Sequence, residues 1–570
     1  MYTASNAILD ALVEAKISYV FANFGSDHPG LVEALAEAGA KGEPVPQVII
    51  CPNEMVGMSC AHGFWQASGQ PQAVLVHVEC GTQALAGAVH NAAKGRAPLL
   101  ILAGASPYTQ EGELAGSRNE FIQWIQDVHD QRGIVRGYMK YDAEIRTGAN
   151  AKQMIHRALQ HAVSDPKGPV YLMVAREVLE EEAKPVEINT SHWRPVARTA
   201  LAPEYAAEIA SALASARRPL VVTSYLGRNT EAVPLLVDFC DQAGIGVLES
   251  VPSWVNFPHD NPLYLGNQWN EKNQNVALAE ADVVLVLDSD VPWIPTVNKP
   301  SPDAKIFHID VDPLKQQMPL WYIPACRSYE ADAATALRQI LLSLESVAVD
   351  PTAVAERKTH YRLQHQRRRV PLAQACQRPA DDSISSAYFL NCLRKLADGD
   401  MLFVNEGISN YQAIFDHLAP TRPGSMFTSG GGSLGWNGGA AIGAKLAHPE
   451  KTVVALTGDG SFMFSVPSSV HWMSRRYEAP FLQIVFNNNG WKSPKLSTLA
   501  LHPSGYASAA PDPYVSFDPA PDYGGIASAA GGSWARKLLH ASDVEGALKD
   551  AFHVVQNTKQ TALLNVTLAN

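Results

Sequence analysis

The sequence predicts an α/β protein made of three open parallel-sheet domains. Three observations carry this. A chain of 570 residues exceeds what one hydrophobic core organises. Apolar runs of strand length recur, separated by segments of helix length. Gly-rich turns follow several of those runs, as they do at the ligand-binding edge of parallel sheets. Hydrophobic residues make up 46% and charged residues 18%, enough for large cores and unlike a disordered or collagen-like chain. Asp and Glu number 56 against 45 Lys and Arg, a formal charge of −11. That is the wrong sign for a phosphate-backbone binder, so nucleic acid is not an expected partner.

The first series spans residues 1–185 and reads SYVFANFG, PQVIICPNE, QAVLVHVECG, APLLILAG and GPVYLMVA. Short buried-type strands spaced by helices indicate βαβ units. The second, in 195–345, reads RPLVVTSYLGRN, GIGVLES, ADVVLVLDSD and AKIFHIDVDP; the third, in 386–570, reads GDMLFVNEG, KTVVALTGDG, APFLQIVFNNNG and TALLNVTLA. Gly-rich turns after strands in the first and third series suggest similar folds. Residues 353–385 include ERKTHYRLQHQRRRVPLAQACQRPADDS, a basic, polar stretch expected to be a solvated linker. The opening MYTASNAILDALVEAKI has an amphipathic helix pattern, and no run reaches the ~18 apolar residues of a membrane span. Seven scattered cysteines without a CxxC pair suit a reducing cytosol. The expectation is a cytoplasmic protein with a small-molecule substrate and no membrane partner.

The strongest chemical signal is VVALTGDGSFMF, where a strand runs into Gly458-Asp459-Gly460 and then Ser461. Glycines at a strand's carboxyl end let backbone N–H groups approach a phosphate, and the aspartate suits a hard cation. After a helix-length segment, FLQIVF ends in Asn487-Asn488-Asn489-Gly490-Trp491. Two strands thus end in oxygen donors. Asp459, the Asn488 amide oxygen and the Gly490 carbonyl are candidate Mg²⁺ ligands, with diphosphate oxygens and water completing the shell.

GDG, a helix and a strand ending in NN resemble the diphosphate-binding signature of thiamine-diphosphate-dependent enzymes, here of the acetolactate synthase, pyruvate oxidase and 2-hydroxyacyl-CoA lyase group. SGGGSLGWNGGAAIGAKLA resembles the family segment that forces the cofactor into its bent form. The resemblance makes Leu434 the wedge and the Gly432 carbonyl the acceptor for the 4′-amino group. PQVIICPNE followed by a helix resembles the segment whose strand-end glutamate, here Glu54, bonds the pyrimidine N1′; a carboxyl in a mostly apolar pocket has a raised pKa and can share that proton. HVECGTQALAGAVHNAAKGRAPLLILAG resembles the family's Gly-rich turn and helix, but most relatives have Gly-Pro-Gly where this chain has Glu79-Cys80-Gly81. Cys80 and Gln83 are therefore candidates for altering substrate choice, and Gln83 is a candidate catalytic residue.

The resemblance covers nearly the whole chain and implies pyrimidine-binding, middle and diphosphate-binding domains in that order. It also implies a homodimer or homotetramer with active sites at subunit interfaces. The middle domain in this group holds FAD, ADP or nothing, and Arg228 and Asp310 fall where relatives contact an adenine nucleotide.

The implied reaction is cleavage or formation of a C–C bond adjacent to a carbonyl, acetolactate-synthase-like, on a 2-oxo acid or related compound. The alternatives are a 2-hydroxyacyl-CoA lyase or acyl-CoA decarboxylase and, in another class, a degenerate non-catalytic nucleotide-binding scaffold. Glu54, Leu434, Asp459 and Asn488 together argue against the last. Three regions are expected to decide substrate. FGSDHPG adds Asp27 and His28, and His28 is a candidate for proton transfer. GSRNEFIQWIQDVHDQRGIVRGYMKY offers Phe121 and Gln123, where acetolactate synthases carry a Phe-Gln pair. The Pro/Ser/Gly-rich segment 491–525 is a candidate lid, with Trp491, Lys492, Lys495 and His502 placed to meet an anionic or CoA-bearing substrate.

Overall fold

The computed structural model describes residues 1–569. They form three six-stranded sheets in which every pairing is parallel. The first contains β1 (Tyr19–Ala22), β2 (Gln47–Ile50), β3 (Ala73–Val76), β4 (Leu100–Ala105), β5 (Tyr141–Ile145) and β6 (Val170–Ala175), ordered β2-β1-β3-β4-β6-β5. The second contains β7 (Pro219–Thr223), β8 (Gly246–Ser250), β9 (Tyr264–Gln268), β10 (Val283–Leu287), β11 (Lys305–Asp310) and β12 (Arg327–Glu330), ordered β12-β11-β10-β7-β8-β9. The third contains β13 (Leu402–Glu406), β14 (Met426–Phe427), β15 (Val453–Gly458), β16 (Leu482–Asn487), β17 (Trp534–Leu538) and β18 (Ala562–Thr567), ordered β14-β13-β15-β16-β18-β17. The first and third sheets share one topology. Central strands such as β4, β10 and β16 are buried along their whole length, which is why they read as unbroken apolar runs.

In an open parallel sheet, ligands bind beyond the carboxyl ends of the strands where the order reverses. Here that crevice lies between β1 and β3 in the first sheet, β7 and β10 in the second, and β13 and β15 in the third.

The middle domain has a core of its own, whereas the first and third meet in a shared one, built where the Glu54–Ser68 and Asn437–Ala447 helices cross and joined by Tyr225 and Trp254 of the middle domain. Glycine permits that crossing: a Cβ on Gly443 would lie 1.9 Å from the Cys60 carbonyl oxygen, and one on Gly63 2.2 Å from that of Ala440.

The expected solvated linker differs from its prediction. Residues Pro351–Ala375 form a 25-residue helix lying on the middle domain. Arg357 Nη1 donates to the carbonyls of Ala214 (2.9 Å) and Ala216 (2.6 Å), the Tyr361 hydroxyl donates to the Pro219 carbonyl (2.6 Å), and His365 Nδ1 meets the Tyr264 carbonyl (2.7 Å). These residues stand at i, i+4 and i+8, a buried stripe that the charge run conceals. Among the described residues no helix is long and apolar enough to cross a membrane.

Candidate active site

The third sheet presents its crevice at the end of β15, where Gly458 leads into the Asp459–Phe464 helix. Asp459 is buried; its Oδ1 accepts from the Gly460 amide (2.9 Å) and its Oδ2 from the Gly490 amide (2.8 Å). Burial raises its pKa despite those bonds, a cost that a nearby cation removes. Asn488 lies at the end of the neighbouring strand, and its Oδ1 is buried without a hydrogen-bond partner while its Nδ2 faces Ser409 Oγ at 3.4 Å. An unpartnered amide oxygen beside a buried carboxylate fits a hard cation such as Mg²⁺. Gly490 (φ 144°) completes the expected set; a Cβ there would lie 2.1 Å from the Val515 carbonyl oxygen.

Trp491 packs on Gly460, where a Cβ would be 2.4 Å from the indole, and its ring meets Phe517 edge-on at 5.0 Å. The expected lid is an excursion closed at its neck by Trp491 N–H to the Val515 carbonyl (2.8 Å) and Phe517 N–H to the Asn489 carbonyl (3.0 Å). It carries the helices Lys492–Leu501 and Tyr506–Ala509, with Lys492, Lys495 and His502 exposed to solvent.

The glycine-rich loop before the Asn437–Ala447 helix is held from both sides. The Gly432 amide donates to His90 Nε2 (3.2 Å), and Ser433 exchanges hydrogen bonds with the Asn91 side chain (2.8 and 3.0 Å). Leu434 is half-buried, and among the described residues the Gly432 carbonyl accepts no hydrogen bond, leaving it open to a donor. Glu406, at the end of β13, accepts the amides of Gly435 and Asn437, each at 2.7 Å, and so fixes the start of the helix. Sequence reasoning passed over Glu406, although it ends β13, one of the two strands that flank the reversal point of the third sheet.

In the first sheet Glu54 follows β2 as the first residue of its helix. It is half-buried, its Oε1 accepts from Asn23 Nδ2 (2.9 Å), and desolvation raises its pKa. Gly81 makes room for it: a Cβ there would be 3.3 Å from Glu54 Oε1.

His28, expected to transfer protons, is fully buried, with Nδ1 3.0 Å from Asp27 Oδ1 and 3.1 Å from the Gly25 amide. It lies behind Asp27, out of reach of a substrate. The partly exposed histidine is His77, directly after β3, with Nδ1 2.6 Å from Asp27 Oδ1. Burial opposes ionisation of Asp27, but His28 and His77 outweigh it and hold the carboxyl well below the usual range. The Asp27 hydrogen bond in turn raises the pKa of His77. The missed signal was a histidine at the end of a buried strand, on the edge where ligands bind.

Gln83 donates to Glu79 Oε2. Gln123 is buried, its Oε1 accepting the amides of Asn119 (2.9 Å) and Glu120 (3.3 Å), so it shapes its own turn and does not face a substrate. Phe121 is 79% exposed. One turn on, Gln126 reaches His77 Nε2 with its Oε1 at 2.9 Å.

In the middle domain, Arg228 and Asp310 do not face an open nucleotide site. Arg228 lies over the Tyr225 ring and 3.4 Å from Asp288, and Asp310 is fully buried against Lys315 and Tyr225. These charges neutralise one another inside the crevice. The open space beside them is a cleft of about 400 Å³ between the first and middle domains, which Lys94, Lys140, Lys167, Asp290, Asp312 and Glu330 help to line.

Against known proteins, the chain matches the thiamine pyrophosphate enzyme N-terminal TPP binding domain over residues 2–134, the central domain over 206–339 and the C-terminal TPP binding domain over 407–566. It is 25% identical, over an aligned length of 576, to benzoylformate decarboxylase of Pseudomonas aeruginosa, covering 97% of each chain. It is 23% identical, over 588, to the acetolactate synthase isozyme 3 large subunit of Escherichia coli, covering 98% of this chain and 94% of the other. A solved Rhodococcus jostii thiamine diphosphate-dependent 4-hydroxybenzoylformate decarboxylase shares the fold, with a TM-score of 0.77 at 20% identity over 99% of both chains.

Proposed function

This chain belongs to the thiamine pyrophosphate enzymes, and on that premise we propose that it decarboxylates a 2-oxo acid with an apolar or aromatic side chain, or joins the resulting fragment to a second carbonyl compound. The cofactor, when bound, supplies a nucleophilic carbon and an electron sink for breaking or making the C–C bond beside a carbonyl. Asp459, Asn488 and the Gly490 carbonyl would hold Mg²⁺; the backbone of Gly458, Gly460 and Ser461 would meet the diphosphate; Gly432 and Leu434 would hold the pyrimidine end. Glu54 would share a proton with the pyrimidine N1′, a role its raised pKa suits.

The observation that carries the reading is the pairing of Glu54 with His77 on one sheet edge, a carboxyl for the cofactor and an imidazole for the substrate. His77, steadied by Asp27, exchanges a proton with the substrate's oxygen. The apolar rim beside it, Phe121, Trp124 and Ile125, is exposed and suits an apolar substrate side chain. The likeness to benzoylformate decarboxylase supports the same substrate class.

Exposed Phe121 and Ile125 in the first domain and Leu496 and Leu501 in the third also support a homodimer or homotetramer whose subunits cover these faces at the active sites. All seven cysteines are unpaired, which supports a cytoplasmic setting. If the middle domain carries ADP or FAD, its phosphates would lie in the basic cleft near Lys94, Lys140 and Lys167, and acid release followed by mass spectrometry identifies the nucleotide.

The test is carbon dioxide and aldehyde production from benzoylformate, pyruvate and other 2-oxo acids after reconstitution with thiamine diphosphate and Mg²⁺. Turnover favouring aromatic acids is expected. Activity only on a 2-hydroxyacyl-CoA, or no retained thiamine diphosphate, would overturn the proposal. Glu54→Gln is expected to keep the cofactor bound while slowing exchange of its C2 proton, read by NMR after acid quench.

A further inference from the structure

Glu79, Cys80, Gln126, His77 and Asp27 form one unbroken series of hydrogen bonds whose polarity is set from its ends. A carboxylate only accepts, so the Cys80 thiol donates to Glu79 Oε1 across 2.9 Å. The Cys80 sulfur is then left as an acceptor, and Gln126 Nε2 donates to it at 3.5 Å. With its amino group committed there, Gln126 presents its carbonyl oxygen to His77 Nε2, 2.9 Å away. His77 Nε2 must therefore carry a hydrogen. Its Nδ1 faces a second acceptor, Asp27 Oδ1, at 2.6 Å, while Asp27 Oδ2 is occupied by the Val78 amide at 3.0 Å. Both ring nitrogens are donors, a condition only the imidazolium meets.

We propose that Glu79, Cys80 and Gln126 are positioning residues that hold His77 in its doubly protonated form, making it the proton donor of the reaction. The part played by His77 in catalysis rests on the proposed function, whereas its protonation state does not. The side chains of Glu79 and Cys80 thus have a role: they relay hydrogen-bond polarity to Gln126. Gln126 is well placed for the task, since its backbone N–H donates to the Ile122 carbonyl (2.7 Å) and its backbone carbonyl accepts from the Ser106 hydroxyl.

The groups around His77 are Asp27 and His28 from the loop after β1, Glu54 from its helix and Gln126 from the segment after β4, with Glu79 and Cys80 following it in the Val78–Ala84 helix. The Asp27 bond is the largest influence raising His77, burial opposes it, and Gln126 and Glu54 add to the rise. In the reaction the Nε2–H bond breaks, the proton passes to the substrate oxygen, and its electron pair stays on nitrogen. Neutral His77 keeps its Nδ1–H on Asp27, and solvent returns the Nε2 proton.

The experiment needs no substrate. Diethyl pyrocarbonate reacts with an imidazole only in its neutral form, so its rate at His77, followed by peptide mass spectrometry across pH on the protein loaded with thiamine diphosphate and Mg²⁺, gives a midpoint for that residue. In Gln126→Leu the midpoint is expected to fall by about one unit, a roughly tenfold faster modification near neutral pH. Cys80→Ala, which frees the Gln126 amide to turn over, is expected to lower it too. Cys80→Ser, whose hydroxyl both donates and accepts, is expected to restore it. A merely structural disturbance would change the amplitude without moving the midpoint. Unchanged midpoints in both Gln126→Leu and Cys80→Ala would overturn the proposal, whether or not the 2-oxo acid assignment stands.

Discussion

Asn488 shows how one side chain reports a missing partner. A buried amide oxygen left without a hydrogen bond costs free energy unless a ligand meets it. Asn488→Ala is therefore expected to weaken Mg²⁺-dependent binding of thiamine diphosphate by about tenfold or more, while Asn488→Asp retains most of it; calorimetric titration at fixed Mg²⁺ checks both. Asp27 and His77 make a second prediction, on stability. The raised pKa of His77 means that its contribution is complete below the unfolded-state value of about 6.5 and is lost as pH rises through the folded value. The depressed pKa of Asp27 means that its contribution is present above about 3.9 and is lost as pH falls. The margin between the natural protein and Asp27→Asn, read as urea midpoints across the pH range, should thus be widest between those two values and narrow on either side. Legibility differed among these residues for a physical reason. Glu54, Asp459 and Asn488 announce themselves through the strand, turn and helix around each of them. His77 is marked by its place at the end of a buried strand, but its pairing with Asp27 is not, because folding brings Asp27 to it from a distant loop. Gln123 and Gln126 lie one helical turn apart, so the sequence could not say which would be buried and which would face His77.

Helices misled the sequence reading more than strands did. Parallel strands buried on both faces produce continuous apolar runs, and all three sheets were visible from them. The Pro351–Ala375 helix has few apolar residues and buries arginine, tyrosine and histidine through their hydrogen bonds, so hydropathy described it as a linker. The Asn437–Ala447 helix was noticed for its glycines as a cofactor segment, and the structure adds that they admit the Glu54–Ser68 helix at backbone contact. Gly443→Ala must displace the Cys60 carbonyl from 1.9 Å, an overpacking expected to cost about 1–3 kcal/mol. Gly546→Ala is the control: its helix is solvated on that side, a Cβ there meets nothing within 4 Å, and alanine is the better helix former. Urea denaturation should therefore shift the midpoint down for Gly443→Ala and leave it level or higher for Gly546→Ala.

At the scale of the molecule, the first and third domains meet in a shared core to which the middle domain contributes Tyr225 and Trp254, so a polar contact that reinforces this apolar seam matters to its attachment. Arg96, from the first domain, supplies one: its guanidinium lies over the Tyr225 ring at 4.3 Å and makes two bonds to Asp290, at 2.8 and 3.0 Å. Lys315 meets the same carboxylate at 2.8 Å. A planar guanidinium satisfies a carboxylate with two parallel bonds and stacks on an aromatic face, which lysine cannot reproduce. Removing Arg96 alone leaves the Asp290 carboxylate short of donors; removing Asp290 alone leaves a mostly buried guanidinium unpaired. Each single change, Arg96→Met and Asp290→Asn, is expected to cost about 1–3 kcal/mol. The double variant should cost less than the sum, because neither charge is then stranded. Calorimetry distinguishes a latch between domains from a local ion pair: the single variants should separate unfolding of the middle domain from that of the shared core, and strict additivity with one undivided transition throughout would show that attachment depends on other contacts.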